Sequence, residues 1–323
     1  SVSCNLIKKE EIKTDLNTTF FNDSSFVINK GFIKGDVRRY GVFPDKEISR
    51  TQLNLVLDLA EKGIKIKFPK GFYNTDLIFK TRKKVHFYFD NASFSGRIYI
   101  IENSKNITFK GKLTTYNKFF TRESKDITID TLVIRSDTLK NSFKKRSLGC
   151  NIYAGTKNIN IKKLLIKDLG SGSKYYKHSI AALQIHGWND NPENVSIDHL
   201  VIEKSDRHGV YITGRNHLIK KMEIFEVGLG TIKYHNGLED AGKNEVLDFS
   251  SVWFNKCQDS NFEHIIINMD NSNPEYTVNF DEGIPSEPSI INYLDIRNNK
   301  NNTPIKANDL TNILVKHINK THE

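Results

Sequence analysis

The chain has 323 residues, 37% of them hydrophobic, with a formal net charge of +10 and a sequence pI of about 9.2. No apolar run reaches the roughly 18 residues of a transmembrane helix, so we expect one large or two small globular domains. The positive charge favours an anionic partner: an acidic polysaccharide, a nucleic acid or a membrane surface. A Lys- and Asn-rich source genome is the alternative explanation. The three cysteines (Cys4, Cys150 and Cys257) have neither CxxC nor zinc spacing, so no disulfide framework or zinc site is predicted.

Residues 1–40 are predicted to form an N-terminal segment before the main domain. The opening SVSCN, followed by polar residues, resembles the cleavage and acylation site of a bacterial lipoprotein. This resemblance implies a lipid anchor at Cys4 and an extracellular, periplasmic or outer-surface location on a bacterium. An ordinary N-terminus is the alternative.

A short amphipathic helix is predicted at about residues 49–62. Its apolar face consists of Leu53, Val56, Leu57 and Ala60. Gly63 follows as a C-terminal stop signal, and the strand IKIKF and the turn PKGFY come next. We expect this helix to cap the open end of the structure that follows, which otherwise exposes a strand edge.

A repeated apolar template dominates the rest of the chain. It reads Ile, two residues, Leu, one residue, Ile, as in Ile129-Leu132-Ile134. The last Ile of each copy falls at Ile134, Ile166, Ile202, Ile224, Ile267, Ile296 and, in a weaker copy, Ile318. The basic step is 22 residues, and longer steps are multiples of it or contain insertions. Short alternating strands with this period predict an all-β, single-domain right-handed parallel β-helix over residues 41–323, with coils about 4.8 Å apart.

The helix, the strand, the P-x-G-x-Y turn and the coils together resemble the pectate-lyase-like right-handed β-helix superfamily. The resemblance covers residues 41–318 in architecture and implies a carbohydrate-active protein, because the superfamily includes polysaccharide lyases, glycoside hydrolases, uronan epimerases and phage tailspikes. The calcium cluster and the Arg-x-Pro-like motif of pectate lyases are not evident, nor are the paired aspartates of polygalacturonases. No catalytic residue is therefore carried over. No cofactor is predicted, and calcium has no acidic cluster to support it.

The 22-residue register sorts strand residues into columns, because alternate side chains of a strand point to opposite faces. The inward positions are Cys150, Ile152, Leu183, Ile185, Val210, Ile212, Ile232 and Tyr234. The first outward column is Asn151, Gln184, Tyr211 and Lys233, and the second is Tyr153, His186, Thr213 and His235. Tyrosines, histidines and amides without any carboxylate predict a ligand-binding surface. A solvated face with incidental histidines is the alternative.

Three insertions flank these columns, with the sequences SDTLKNSFKKRSLG, KDLGSGSKYYKH and GWNDNPEN. Loops on a rigid scaffold often carry function. The residues predicted to stack on sugar rings are Tyr175, Tyr176 and Trp188. The basic residues predicted to bind acidic groups are Lys144, Lys145, Arg146, Lys174 and Lys177, with His178 beside them. Solvated basic loops are the alternative.

The turn SDRHG precedes the strand that contains Tyr211, and we expect Arg207 and His208 to contact substrate at the edge of the surface. Its Asp-x-His resembles the Asp-Pro-His of alginate C5-epimerases, with Arg207 in place of proline. A turn stabilised by Asp206 is the alternative.

These residue types suit β-elimination of a uronate-containing polysaccharide. That reaction needs a base for the C5 proton, an acid for the leaving oxygen and neutralisation of the carboxylate. We predict a polysaccharide lyase. The base is His186 or His235, the acid is Tyr211 or Tyr153, and Lys233, Gln184 and Arg207 bind the carboxylate.

Three other functions remain open. A glycoside hydrolase needs two carboxylates roughly 5 to 9.5 Å apart. The candidates are Asp190, Asp206, Glu226, Glu239 and Asp240, which lie outside the outward columns. A uronan C5-epimerase shares the first proton transfer with a lyase. A non-catalytic glycan-binding or tailspike-like protein is the alternative of another class. A nucleic-acid partner is disfavoured, because basic and aromatic residues concentrate beside one surface.

Overall fold

A computed structural model describes residues 21–136, 148–169, 181–228, 249–270, 272, 274–300 and 302–321. Within these ranges the chain forms twenty strands, the helix α1 (Arg50–Glu61) and two short 3₁₀ turns, Ser24–Phe26 and Val37–Tyr40. All strand pairings are parallel, and from β3 onward each strand pairs with the strand two positions further along the chain. The predicted all-β parallel β-helix is therefore confirmed.

The strands form two stacks. The long-strand stack contains β1 (Ile66–Phe68), β2 (Gly71–Tyr73), β4 (Lys83–Phe94), β6 (Lys105–Thr115), β8 (Lys125–Ile134), β10 (Lys157–Ile166), β12 (Glu193–Lys204), β14 (Leu218–Glu226), β16 (Asn261–Asn268), β18 (Ser289–Arg297) and β20 (Ile313–Thr321). The short-strand stack contains β3 (Leu77–Lys80), β5 (Ile98–Ile101), β7 (Lys118–Thr121), β9 (Gly149–Tyr153), β11 (Ala181–His186), β13 (His208–Arg215), β15 (Ser250–Gln258), β17 (Tyr276–Phe280) and β19 (Ile305–Ala307). From β3 onward, one long and one short strand make up each coil.

The apolar template forms the core of the long-strand stack. Each copy lies in register on the next, so that Leu164 pairs with Leu132 on one side and with Leu200 on the other. The template residues of β8, β10, β12, β14, β16 and β18 are all buried. The inward residues predicted for β9, β11 and β13 are also fully buried. The spacing of buried Ile and Leu residues therefore identified both the strands and their register.

The weak copy at the end of the chain is an exception. Ile318 was expected to align with Ile296, but it pairs with Leu294, and Lys320 pairs with Ile296. No described strand covers β20, and Ile318 is 51% exposed. An outermost strand with one uncovered side does not need the inward template, so the pattern there gave the wrong register.

Helix α1 confirms the predicted cap. Its buried face belongs to the same core as the first strands, and Gly63 after its end has a φ of 90°. Arg82 forms ion pairs with Asp58 and Glu61 of the helix, and the backbone N–H of Lys83 donates to Glu61 at 2.9 Å. These bonds fix the helix on the start of β4. None of the described helices is long and apolar enough to cross a membrane.

Residues just before the predicted domain boundary at 41 pack into the same core. Val37 and Tyr40 are fully buried, and the Tyr40 hydroxyl donates to Asp23 at 2.7 Å. Burial and the hydrogen bond to Asp23 raise the pKa of Tyr40 to about 12. The position of the boundary itself stays a prediction.

A residue with a left-handed backbone recurs at or just before the start of the long strands β6, β8, β10, β12 and β14. These residues have φ between 55° and 59° and are Asn106, Asp126, Asn158, Asn194 and Asn216. Asn and Asp tolerate this left-handed conformation better than other non-glycine residues. Asn158 donates to Asp126 at 3.0 Å, and Asn194 donates to Asn158 at 2.9 Å. We call these five residues the Asn ladder, a feature that the apolar template did not predict.

Candidate functional site

The outward face of the short-strand stack carries a column of side chains in strict register. From one end to the other it contains Ile78, Tyr99, Phe120, Asn151, Gln184, Tyr211, Trp253, Asn279 and Lys306. The predicted neighbours Asn151, Gln184 and Tyr211 occupy consecutive coils, as expected. The second predicted column is confirmed for the pair Tyr153 and His186.

The prediction that Lys233 and His235 lie on the coil next to Tyr211 and Thr213 was wrong. The 22-residue step holds for the long strands, where Ile224 pairs with Ile202, but the next short strand is β15, in which Trp253 pairs with Tyr211. The chain between β14 and β15 is longer than a plain coil, so the step of 22 does not apply there. Lys233 and His235, with Ile232 and Tyr234, fall in residues 229–248 and lie outside the described residues.

Thr213 does not present a free hydroxyl. It is buried, and the single proton of its Oγ1 is shared between two acceptors, Asn191 Oδ1 at 2.8 Å and the Ile185 carbonyl oxygen at 3.1 Å. The β13–β15 register shifts directly after it, between Ile212 and Gly214. Thr213 therefore anchors the loop that follows β11, which corrects its predicted role in substrate binding.

Aromatic rings form a continuous ladder over six coils. Their successive centroid distances are 5.1 Å for Tyr99–Phe120, 5.8 Å for Phe120–Tyr153, 6.1 Å for Tyr153–His186, 5.1 Å for His186–Tyr211 and 4.3 Å for Tyr211–Trp253. We call these six residues the aromatic face. Trp188, in the loop after β11, is 75% exposed and lies 5.3 Å from the His186 ring. Flat rings in a row can pack against the apolar faces of successive sugars.

His186 and Tyr211 are the titratable pair at the centre of this face. His186 is 7% exposed, and burial lowers the pKa of its imidazole, which keeps the ring neutral near pH 7. Its Nδ1 has no hydrogen-bond partner among the described residues. Burial raises the pKa of Tyr211, which outweighs the hydrogen bond donated by Asn255 Nδ2 at 3.1 Å. A neutral imidazole thus lies beside a phenol that keeps its proton.

Five residues of the site were not predicted from the sequence: Tyr99, Phe120, Trp253, Asn255 and Asp281. Trp253 extends the aromatic face, its Nε1 donates to Asp281 at 3.0 Å, and Asn255 holds the Tyr211 hydroxyl. The alternation in SSVWFN, with buried Val252 and Phe254 on either side of Trp253, contained the necessary signal. It was overlooked because the register was extrapolated from the preceding coil.

Arg207 and His208 are buried beneath the face. Arg207 is fully buried, and His208 accepts a hydrogen bond from the Ser250 N–H at 2.9 Å through Nδ1. The His208 ring lies 5.3 Å from that of Trp253. His208 therefore supports the Trp253 end of the aromatic face from within. Both residues expose almost no surface, and their contact with substrate stays a prediction.

Other predicted residues lie outside the described part of the chain. These are Cys4, Lys144, Lys145, Arg146, Lys174, Tyr175, Tyr176, Lys177, His178, Glu239 and Asp240. Of the described hydrolase candidates, Asp190 is exposed and Asp206 is buried. Glu226 lies at the end of β14. The described residues hold no cluster of three or more His, Cys, Asp or Glu suited to a metal ion.

Comparison with known proteins gives no relative from which a function can be transferred. No family model, curated protein or solved structure matches the chain. The inference of function therefore rests on the aromatic face and its neighbours.

Proposed function

We propose that this protein binds a uronate-containing polysaccharide along the aromatic face and cleaves it by β-elimination at His186 and Tyr211. The observation that carries the proposal is the buried, neutral His186 ring between Tyr153 and Tyr211 in a continuous row of aromatic side chains. The parallel β-helix with a capping helix supports membership of the pectate-lyase-like superfamily as part of the same proposal.

Binding relies on stacking and on amide hydrogen bonds. Sugar rings pack against the aromatic face, and Trp188 covers one ring from the loop. Asn151 and Gln184 lie in the same column as Tyr211 and are partly exposed, so their amides can bond the uronate carboxylate. Arg207 is buried and is assigned no direct role.

The chemistry requires one proton acceptor and one proton donor. His186 takes the C5 proton of the uronate, and the electron pair left at C5 forms the C4–C5 double bond as the C4–O bond breaks. The Tyr211 hydroxyl gives its proton to the leaving oxygen. Both protonation states follow from burial, because it favours the neutral form of an imidazole and of a phenol alike.

Single substitutions test this assignment on a panel of polyuronates. His186→Ala is expected to lower the rate of β-elimination by about 10²- to 10⁴-fold, since it removes the base. Tyr211→Phe removes only the hydroxyl and is expected to cause a loss in the same range. His199→Ala is the matched control, because His199 is a partly exposed histidine on the long-strand stack. The measurement is the ultraviolet absorbance of the unsaturated uronate product.

Three results contradict the proposed reaction. New reducing ends without ultraviolet absorbance indicate hydrolysis. Exchange of the C5 proton with solvent deuterium, without chain cleavage, indicates epimerisation. Equal activity in the His186→Ala and His199→Ala variants shows that the base lies elsewhere.

A non-catalytic glycan-binding protein is the second candidate. The low exposure of Tyr211, 3%, and of His186, 7%, favours it, because a base and an acid must reach the substrate, whereas binding can use the exposed ring of Trp188. It predicts that polyuronates bind and are never cleaved, and that Trp188→Ala weakens binding. The same panel, measured by calorimetry and by absorbance, separates the two functions.

A further inference from the structure

Four lysines stand in register at the first position of four consecutive long strands. Lys83 pairs with Lys105, Lys105 with Lys125, and Lys125 with Lys157. The column continues with Glu193, which pairs with Lys157. We call the four lysines the Lys ladder. Their backbones are about 4.8 Å apart, the distance between neighbouring strands.

A column of like charges is unfavourable for folding, because directly opposed like charges repel across a sheet. The same stack has a column in which the charges alternate. There Asp130 lies 3.6 Å from Lys110 and 2.9 Å from Lys162, and Lys220 lies 2.8 Å from Asp198. This alternating column shows the arrangement that favours stability. The Lys ladder lacks it, so stability does not account for four successive lysines.

Most of the ladder is not neutralised by neighbouring carboxylates. Lys157 pairs with Glu193 at 3.5 Å, but the described residues place no carboxylate within ion-pair distance of the ammonium groups of Lys83, Lys105 or Lys125. The four lysines line a groove of about 520 Å³ together with Asn103, Ser104, Glu123, Ser124, Gly155 and Asp190. The lining thus contains four lysines, of which Lys157 is paired with Glu193, and two carboxylates, so the charge of these residues is positive overall.

A second groove, of about 530 Å³, begins one residue further along the same strands. It is lined by Asn106, Asp126, Asn158 and Asn194 of the Asn ladder and by the registered column Thr108, Thr128, Asn160 and Ser196, with Ile127 and Ile159 at its base. Amides and hydroxyls thus run parallel to the ammonium groups. This combination provides hydrogen bonds for the hydroxyls of a sugar and positive charges for its acidic groups.

We propose that the Lys ladder and the Asn ladder bind a linear acidic polysaccharide that runs along the axis of the β-helix, through residues other than His186 and Tyr211. Neither groove is lined by an aromatic residue, whereas proteins that bind single-stranded nucleic acids stack the bases on aromatic rings. Repeated hydroxyl-binding and cation positions suit a repeating, hydroxylated polyanion. The proposal requires binding only and does not depend on β-elimination.

Two triple variants with the same change in net charge test the proposal. Lys83→Gln/Lys105→Gln/Lys125→Gln removes the ladder, and Lys110→Gln/Lys162→Gln/Lys220→Gln removes the lysines of the alternating column. Both are made in a His186→Ala background, so that the polyuronate probe is not shortened. We expect the ladder variant to bind about tenfold more weakly and with a shallower salt dependence, and the control to stay within about twofold. Neutral dextran should not bind to either.

Protein stability separates loss of binding from loss of fold. Removing mutually repelling lysines should leave the melting temperature unchanged or higher, whereas the control breaks ion pairs and should lower it slightly. If the ladder variant unfolds, Lys125→Gln alone is compared with Lys162→Gln, and about a twofold loss of affinity is expected only in the former.

Three outcomes overturn the proposal. Equal weakening in the two triple variants shows a general effect of net charge. Absence of binding by the parent chain to polyuronates and sulfated glycans shows that the groove has no such ligand. Loss of binding to a single-stranded oligonucleotide, with glycan binding unchanged, assigns the ladder to nucleic acid. These three binding measurements give the same answer whether or not the protein has lyase activity.

Discussion

The two stacks of the β-helix come from the same coils but differ in the regularity of their register and in their outward side chains. The long-strand stack repeats buried Ile and Leu from β8 to β18 without a break in register. The short-strand stack has a register shift after Ile212, and its outward face carries aromatic rings and amides. One stack thus supplies a regular core, and the other presents side chains that vary from coil to coil. The proposed catalysis and sugar stacking belong to the second stack, because a rigid scaffold leaves such positions free to carry function.

The largest effect should come from the core of the long-strand stack. Leu200 is fully buried between Leu164 and Met222, and Leu200→Ala is expected to lower the free energy of unfolding by about 2–5 kcal/mol. Urea unfolding followed by circular dichroism measures it. The neighbouring Val201 is only partly buried, so Val201→Ala is the control and should cost less. Equal losses for the two variants would mean that the template positions are not the main source of stability.

The regular stack is also the part of the fold that sequence could predict. Ile129, Leu132 and Ile134 share one spacing with every later copy, because each must fill the same place in a stack of near-identical coils. Gly63 and the apolar spacing before it likewise marked the end of α1. Prediction failed at Ile318, where no described strand covers the chain and the packing constraint is absent.

The candidate site could be predicted only in part. Asn151, Gln184 and Tyr211 were placed correctly, because plain alternation links three strands whose core residues are easy to align. Trp253 was missed, since the insertion before β15 changes the step length, although the alternation of buried Val252 and Phe254 around Trp253 marks it as outward. The burial of Arg207 was also missed, because burial at a turn depends on tertiary packing and not on the turn sequence.

Acid should destabilise the fold through the buried His217. His217 lies in the turn between β13 and β14, where Nδ1 accepts from the Val195 N–H at 3.2 Å and Nε2 is 2.8 Å from the Thr213 carbonyl. Burial lowers the pKa of His217 to about 4. Between its unfolded pKa and about 4, the unfolded chain binds a proton that the folded chain does not. Stability should therefore fall by roughly 3 kcal/mol as the pH drops through this window.

His217→Asn isolates this contribution, because asparagine keeps an acceptor for the Val195 N–H and does not titrate. The variant should be less stable than the parent at pH 7, but it should lose less stability on going to pH 4.5. Chemical unfolding at the two pH values gives both differences. An unchanged pH slope would assign the acid sensitivity to other groups, such as His186, whose pKa burial also lowers.

The smallest effect on stability should come from Trp188, the most exposed aromatic side chain among the described residues. Trp188 has a φ of 58°, a conformation that is costly for a bulky residue and easier for asparagine. Its ring is exposed and contacts His186, so packing does not explain why the loop carries a tryptophan there. Trp188→Asn should leave the melting temperature unchanged or higher and weaken polyuronate binding by about 0.5–1.5 kcal/mol, or roughly two- to tenfold. Tyr293→Asn is the control, because Tyr293 is an exposed aromatic residue of the long-strand stack. If both substitutions weaken binding equally in calorimetry, sugar stacking is not confined to the short-strand stack, and the functional contrast between the two stacks fails.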